Sequence, residues 1–300
     1  MSELVTWKSE SAGPGHAIVH GQYDKRTGSW QYICADPATR ACAIIDPVLD
    51  FDPAAARTST RSAEALLATV EREGYDLQWI LDTHPHADHL TAGRWLADQT
   101  GAPHAIGRKV TEIAEIWRGL YHLPDAFDPA ADFDRLFADD ATFRIGDMDV
   151  RVILSPGHTL GSITYITGGA AFVHDTLMQP DSGTARADFP GGNSAELWQS
   201  IQDILALPSD TRLFIGHDYG TDDREDPACE ATVAEHLDGN VHVKRGTTRE
   251  GYIATRDARD ATLGMPSQIL FALQVNLRGG RLPEPEADGN SYFKIPANRF

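Results

Sequence analysis

The stretch that most limits what this chain can become is residues 79–92, Trp-Ile-Leu-Asp-Thr-His-Pro-His-Ala-Asp-His-Leu-Thr-Ala. Trp79-Ile80-Leu81 reads as a short buried strand. It stops at Asp82-Thr83, and His84, His86, Asp88 and His89 then fall within six positions. A helical pattern follows at once through Leu90, Gly93, Leu96 and Ala97, and stops at Gly101. The four groups therefore sit at the carboxyl end of a strand and in the first turn of a helix. Open α/β sheets place ligands there. A single histidine would be an ordinary surface or core residue. Four metal-competent groups in six positions are a cluster, and neutral imidazole with carboxylate suits zinc, iron or manganese.

The chain around this cluster alternates strands and helices. Ala17–His20, Trp30–Cys34 and Ala41–Ile45 read as a β-meander, with turn chemistry at Asp24–Gly28 and Asp36–Arg40. Helical spacing of Ala63, Leu66, Leu67 and Val70 predicts a helix over residues 59–73, ended by Gly74. A strand over 102–106 and a helix over 109–120 follow, then an acidic, proline-containing loop over 121–140. His16, His20, His104 and His122 have no partner pattern and are read as structural or merely exposed. Strands return at 149–154, 162–167 and 170–175, the last two flanking the hairpin signal Gly168-Gly169. Asn193, with Glu196 three positions on, caps a helix whose apolar face is Leu197, Ile201, Ile204 and Leu205. Thr211–Ile215 is a further buried strand. Helices are predicted over 227–237 and 249–263. This order gives an α/β fold, an αββα sandwich with the site at its seam. Residues 1–300 are read as one domain, with 226–300 a C-terminal extension packed on it.

Composition excludes several classes. The formal charge is −18, from 44 acidic and 26 basic residues, so nucleic acid and anionic membrane are excluded as partners. No apolar run reaches the length of a membrane span. The N-terminal stretch, Met1 to Lys8, lacks a basic region followed by an apolar core, so no signal peptide is expected. Cys34, Cys42 and Cys229 are widely spaced, which argues against a disulfide framework and suits a reducing cytoplasm.

Further metal-competent groups recur at strand ends: His158 after Pro156-Gly157, Asp175, and His217 after Gly216. A carboxylate ending a hydrophobic strand is costly unless paired or metal-bound. Seven such groups are enough for a two-metal site with ions roughly 3.5–4 Å apart, or for a one-metal site with open positions for substrate.

His84-x-His86-x-Asp88-His89, Pro156-Gly-His158-Thr159, Asp175 and Gly216-His217-Asp218 together resemble the metallo-β-lactamase superfamily, over residues from about 17 to 220. Thr83–Ala92, the stretch from Asp175 to Gly192, and Gly216-His-Asp-Tyr219 resemble more closely the persulfide dioxygenases (sulfur dioxygenases), in their bacterial branch. Met265-Pro-Ser-Gln-Ile-Leu and Gln274-Val-Asn-Leu-Arg278 resemble that family's C-terminal segment. Glyoxalase II enzymes share the metal motif, but usually carry Gly-Gly-Asn where Leu90-Thr-Ala-Gly93 stands, and a basic helical C-terminal region not visible here.

The persulfide dioxygenase resemblance implies one Fe(II) per chain, held by His84, His158 and Asp175. This is the 2-His-1-carboxylate set that leaves positions for O₂ and a substrate sulfur. His86, Asp88, His89 and His217 would orient ligands and water, or hold a second metal. The implied reaction oxidises glutathione persulfide, or another low-molecular-weight persulfide such as that of coenzyme A, to sulfite and thiol. Arg186 is the candidate for a substrate carboxylate, against a surface salt bridge to Asp188. Tyr219, next to His217, is the candidate donor to bound persulfide or oxygen. The resemblance also implies a homodimer. One departure stands out: the family commonly has Gly before the strand-end Asp, and here it is His174. The alternative reading is a di-zinc thioester hydrolase of the glyoxalase II type. A non-catalytic metal-binding protein is disfavoured by the intact set of seven groups.

Overall fold

The computed structural model describes residues 5–299. Met1–Leu4, the first half of the stretch read for a leader, lie outside them, as does Phe300. Seven strands form one sheet, in the order Val5–Ser9, Ile18–Asp24, Ser29–Ala35, Ala41–Ile45, Asp76–Leu81, His104–Gly107, Arg135–Phe137. The first four pair antiparallel, as a meander must; the last three run parallel to Ala41–Ile45, each reached through a helical crossover or a longer connection. Six strands form the second sheet: Thr142–Ile145, Met148–Leu154, Ile163–Thr167, Ala170–His174, Arg212–Ile215, Glu230–Thr232.

Side-chain alternation explains why the first sheet is buried on both faces. Trp30, Tyr32, Cys34, Ala43, Ile45 and Leu81 point to the second sheet, where they meet Val152, Tyr165, Phe172 and Phe214. Their neighbours Ile33, Ala35, Cys42, Ile44 and Ile80 point outward and are covered by the helices Arg61–Glu73, Gly93–Thr100, Val110–Tyr121 and Ile269–Asn276. On the far side of the second sheet, Ala171, Val173, Leu213 and Ile215 are covered by Leu197, Ile201 and Ile204 of helix Ser194–Leu205 and by Tyr252 of helix Arg249–Asp260. The layers are α, β, β, α, as predicted. Cys34, Cys42 and Cys229 are free and buried.

Three local expectations are corrected. The helix after His89 does not begin at once: Leu90–Thr91 pairs as a short strand with Val48–Leu49, and the helix starts at Gly93. Residues 121–140 are not all loop. Pro129–Asp132 is a single helical turn with proline near its start, and Arg135–Phe137 is an edge strand that buries Phe137. Residues 227–237 are not one helix. Glu230–Thr232 is an edge strand, and a reciprocal cap between Thr232 and Glu235 then opens the helix Val233–Gly239. Two or three residues in a strand are too few for periodicity to register.

Two imidazoles, His236 buried and His242 half-buried, support the loop that follows Asp175. His242 Nδ1 accepts from the Thr184 N–H (3.0 Å), and His236 Nδ1 accepts from Asn240 Nδ2 (3.1 Å), which also donates to Gly183 O. Burial lowers both imidazoles to about 4. The unfolded chain therefore binds protons that the native chain refuses, and stability present above pH 6.5 is lost as pH falls toward 4. For His236, which is fully buried, the loss at pH 4.5 is roughly 2–3 kcal/mol. Urea melts from pH 7 to pH 4.5 on the chain and on His236→Gln are expected to show this part of the slope only in the former.

Candidate metal centre

All seven candidate ligands converge at the seam between the two sheets. His84, His86, Asp88 and His89 come from the loop after Asp76–Leu81, His158 from the turn after Met148–Leu154, Asp175 from the end of Ala170–His174, and His217 from the end of Arg212–Ile215. Asp175 Oδ2 lies 3.9 Å from His84 Nε2, 3.4 Å from His158 Nε2 and 3.5 Å from His217 Nε2. Asp88 Oδ2 is 2.9 Å from His217 Nε2, and its Oδ1 is 3.5 Å from His89 Nδ1. His84, His158 and Asp175 form one group of mutually close ligand atoms; His86, Asp88, His89 and His217 form another.

Two glycines make this convergence feasible. Gly157 has φ +126°, and a Cβ on it would lie 2.2 Å from the Leu197 backbone nitrogen, so only glycine turns the chain to deliver His158. A Cβ on Gly216 would lie 2.4 Å from Asp175 Oδ1. His174 does without that freedom. It sits at a β-bulge with φ +44°, a conformation costly for histidine. Its Nε2 is held by Ser155 Oγ (3.2 Å) and Thr176 Oγ1 (3.0 Å), and its ring lies 5.1 Å from that of His84.

The outer nitrogen of each imidazole except His86 is fixed by a partner, which decides what the inner one presents. Thr83 Oγ1 donates to Asp46 Oδ2 (2.9 Å), so it accepts from His84 Nδ1 (3.0 Å) and leaves the His84 Nε2 lone pair facing inward. His158 Nδ1 donates to Arg186 O (2.8 Å), with the same result. His86 Nε2 lies at ion-pair distance from Asp46 Oδ1 (3.0 Å), and neither of its ring nitrogens makes a hydrogen bond. Ser29 Oγ lies 3.2 Å from both His89 Nδ1 and His217 Nδ1, and reaches Asp24 through Thr27. His84 Nε2, both nitrogens of His86, His89 Nε2, His217 Nε2 and Asp175 Oδ1 are buried without a hydrogen-bond partner. Such a set is costly unless a cation fills it. Metal-ligating histidines carry this kind of outer support.

The electrostatics agree. Burial, with His86 and His174 beside it, pushes His84 well below the ordinary imidazole value; burial also lowers His158 and His89. These three are neutral near pH 7, the form that ligates. Burial would lower His217 too, but Asp175 and Asp88 overcome it and push it up to about 10. The two carboxylates favour positive charge at that spot, which a bound metal ion would supply. The donor set fits a metal centre of one or two ions.

The centre floors a pocket of ≈ 600 Å³, reached by Asp88, His158, Asp175 and His217. Tyr219 stands at its rim, 69% exposed, with its ring parallel to that of His217 and its hydroxyl 3.4 Å from Asp88 Oδ2. Arg186 is in the wall. Its guanidinium grips both oxygens of Asp188 (2.6 and 2.7 Å), donates to Gly264 O and lies over the Phe189 ring. Arg256 is buried against Asp260 and Thr184 O. Arg259, one helical turn on, lines the same pocket, and makes no ion pair among the described residues.

The sequence profile of the metallo-β-lactamase superfamily matches residues 29–217. The chain belongs to the metallo-β-lactamase superfamily. A beta-lactamase hydrolase-like protein of Xylella fastidiosa is 52% identical over 99% of this chain, which spans 68% of that protein's length. A probable metallo-hydrolase of Burkholderia pseudomallei is 44% identical over 93% of this chain and 98% of its own. Among solved structures, ETHE1 from Myxococcus xanthus has a TM-score of 0.70 at 27% identity, covering 88% of this chain and all of that one. As an enzyme of this superfamily, the chain has a metal site of histidine and aspartate at the seam and a pocket sized for a small molecule. No helix among the described residues is long and apolar enough to cross a membrane.

Several functional residues were not evident from the motifs. Asp46 orients His86 and clamps the Thr83 N–H (2.7 Å). Asn276 bonds the metal loop at three points. His104, read as unassigned, is buried with Nε2 2.8 Å from Asp82 Oδ2, and Thr91 holds the other oxygen. Asp46 ends a buried strand, a signal of the kind that pointed to Asp175.

Proposed function

We propose that the chain is an Fe(II)-dependent persulfide dioxygenase, acting on glutathione persulfide or a similar low-molecular-weight persulfide. The observation that carries this reading is the His84, His158, Asp175 set. Two neutral imidazoles and one carboxylate meet there, with His158 and Asp175 lining the open pocket and His84 buried beside them. The resemblance of residues 83–92, 175–192 and 216–219 to that family supports it, and the likeness to ETHE1 is consistent with it.

In the balanced reaction, a persulfide RSSH, O₂ and water give RSH, sulfite and two protons. Iron(II), held by His84, His158 and Asp175, supplies the one-electron chemistry that O₂ requires. The chain's own residues do the rest. Asp46, Thr83 and Arg186 O hold the imidazoles in their tautomers. Tyr219 gives its one hydroxyl proton to Asp88 Oδ2 at the pocket rim, and would donate to a persulfide anion by releasing Asp88. Phe189 and Met178 give the pocket apolar walls that limit water. We assign the substrate carboxylate first to Arg259, whose charge is uncompensated. Arg186 can take that part only by releasing Asp188. Arg259→Ala is expected to raise KM for glutathione persulfide by roughly 10- to 100-fold with kcat little changed, the worth of one charged hydrogen bond. Arg186→Ala should cost less; steady-state kinetics on both variants check the order.

The second reading is a di-zinc thioester hydrolase, favoured by the completeness of His86, Asp88, His89 and His217 as a second ligand group and by the hydrolase names of the relatives. The deciding experiment is oxygen uptake by iron-loaded protein given glutathione persulfide, with sulfite assayed in the same sample. Uptake with matching sulfite is expected. No uptake by protein with confirmed iron, together with hydrolysis of S-lactoylglutathione by the zinc form, would establish the hydrolase.

A further inference from the structure

A second cavity, of ≈ 20 Å³, adjoins the large pocket and shares Ala87, His158 and Phe189 with its wall. The rest of its lining includes Ile113, Trp117 and Leu273, from the helices Val110–Tyr121 and Ile269–Asn276. Ala87, Phe189 and these three all belong to the apolar core outside the first sheet. The cavity is thus a gap in the core that ends on a candidate metal ligand.

Its size and chemistry select an occupant. A volume of this order takes about one water-sized molecule. Water needs two to four polar partners to stay in such a place, and apolar cavities instead take apolar guests such as xenon. Thr159 Oγ1 is engaged with Ser162 Oγ (2.7 Å) and His158 Nδ1 with Arg186 O (2.8 Å), which leaves His158 Nε2, the atom turned toward Asp175, as a single partner where a water needs two to four. A small apolar diatomic fits where water does not. A substrate of glutathione size seated in the large pocket would fill the solvent path to His158, whereas this cavity meets His158 from the core side. We infer that this cavity is a binding and entry site for O₂ beside the metal centre. The inference rests on the persulfide dioxygenase reading, since a thioester hydrolase has no use for O₂.

Xenon tests the site without iron, and kinetics test its use. Crystals of metal-free protein pressurised with xenon are expected to show one xenon atom between Ile113, Leu273 and His158. Ile113→Phe, which fills the gap, should exclude it. In the iron enzyme the same variant should raise KM for O₂ at least about fivefold, with KM for persulfide and iron content unchanged. Leu66→Met, in the same core but off the cavity lining, should keep both xenon and the native KM for O₂, and guards against a folding defect. Failure of xenon to enter the wild-type cavity, or an Ile113→Phe enzyme that excludes xenon yet keeps its KM for O₂, overturns the inference. Iron-loaded wild type that consumes no O₂ overturns the parent reading, and the entry site with it.

Discussion

His158→Ala is expected to strip iron from the chain and abolish persulfide oxidation, while His217→Ala keeps iron and part of the activity. The difference follows from geometry. His158 offers Nε2 to the pocket 3.4 Å from Asp175 Oδ2, and its other nitrogen is already committed to Arg186 O. Without it, only His84 and Asp175 are left in that group, too few to hold Fe(II) against water. His217 reaches Asp175 at 3.5 Å, but its nearest carboxylate is Asp88 at 2.9 Å. As an orienting group its removal should cost roughly 10–100-fold in activity or metal affinity. Metal analysis of the purified variants, beside sulfite production, checks both. Wild type carrying two metals, with His217→Ala emptied as fully as His158→Ala, would sink the one-iron assignment and favour the hydrolase.

The layers and the ligand set were legible because their signals are local. Alternating apolar runs at 30–34 and 41–45 mark strands, and ligand-type residues at strand ends mark a site. What stayed hidden acts across distance. Ser29 supports His89 and His217 from 60 and 188 positions away. Nothing in a serine at the start of a strand announces that role. Arg256 and Arg259 share one helix and one residue type. Only the fold buries the first against Asp260 and leaves the second bare in the pocket. Arg186 shows the reverse: a carboxylate partner two residues on was visible in the sequence, and the structure joins the two bidentately.

His174 lies between these cases. The sequence singled it out where the family commonly has glycine, and the structure gives the reason glycine is favoured there, a φ of +44° beside the strand-end Asp175. Ser155 and Thr176 hold the ring in place and offset part of the cost.

The C-terminal helix makes the metal loop rigid, and Asn276→Leu is expected to undo this. Asn276 is fully buried at the end of helix Ile269–Asn276. Its Oδ1 accepts from the Thr91 N–H (2.8 Å), and its Nδ2 donates to His86 O (2.7 Å) and His89 O (2.8 Å). One amide therefore satisfies three backbone groups of the loop that carries His84, His86, Asp88 and His89. Leucine fills similar space and satisfies none of them. Each buried backbone group left unpaired costs about 1–3 kcal/mol, so with partial relaxation the loss is about 3–5 kcal/mol. For a chain of this size that lowers Tm by roughly 5–8 °C. Metal affinity should fall by roughly 10–100-fold as well, because the ligands lose their common frame. Asn276→Asp separates the terms. It keeps the acceptor for Thr91 but sets a carboxylate oxygen against two carbonyls, and should be no more stable than the leucine variant. Thermal melts of both variants with and without iron, beside metal titration, read the two effects apart. An Asn276→Leu chain with native Tm and native iron content would mean that the loop holds its shape without the C-terminal helix.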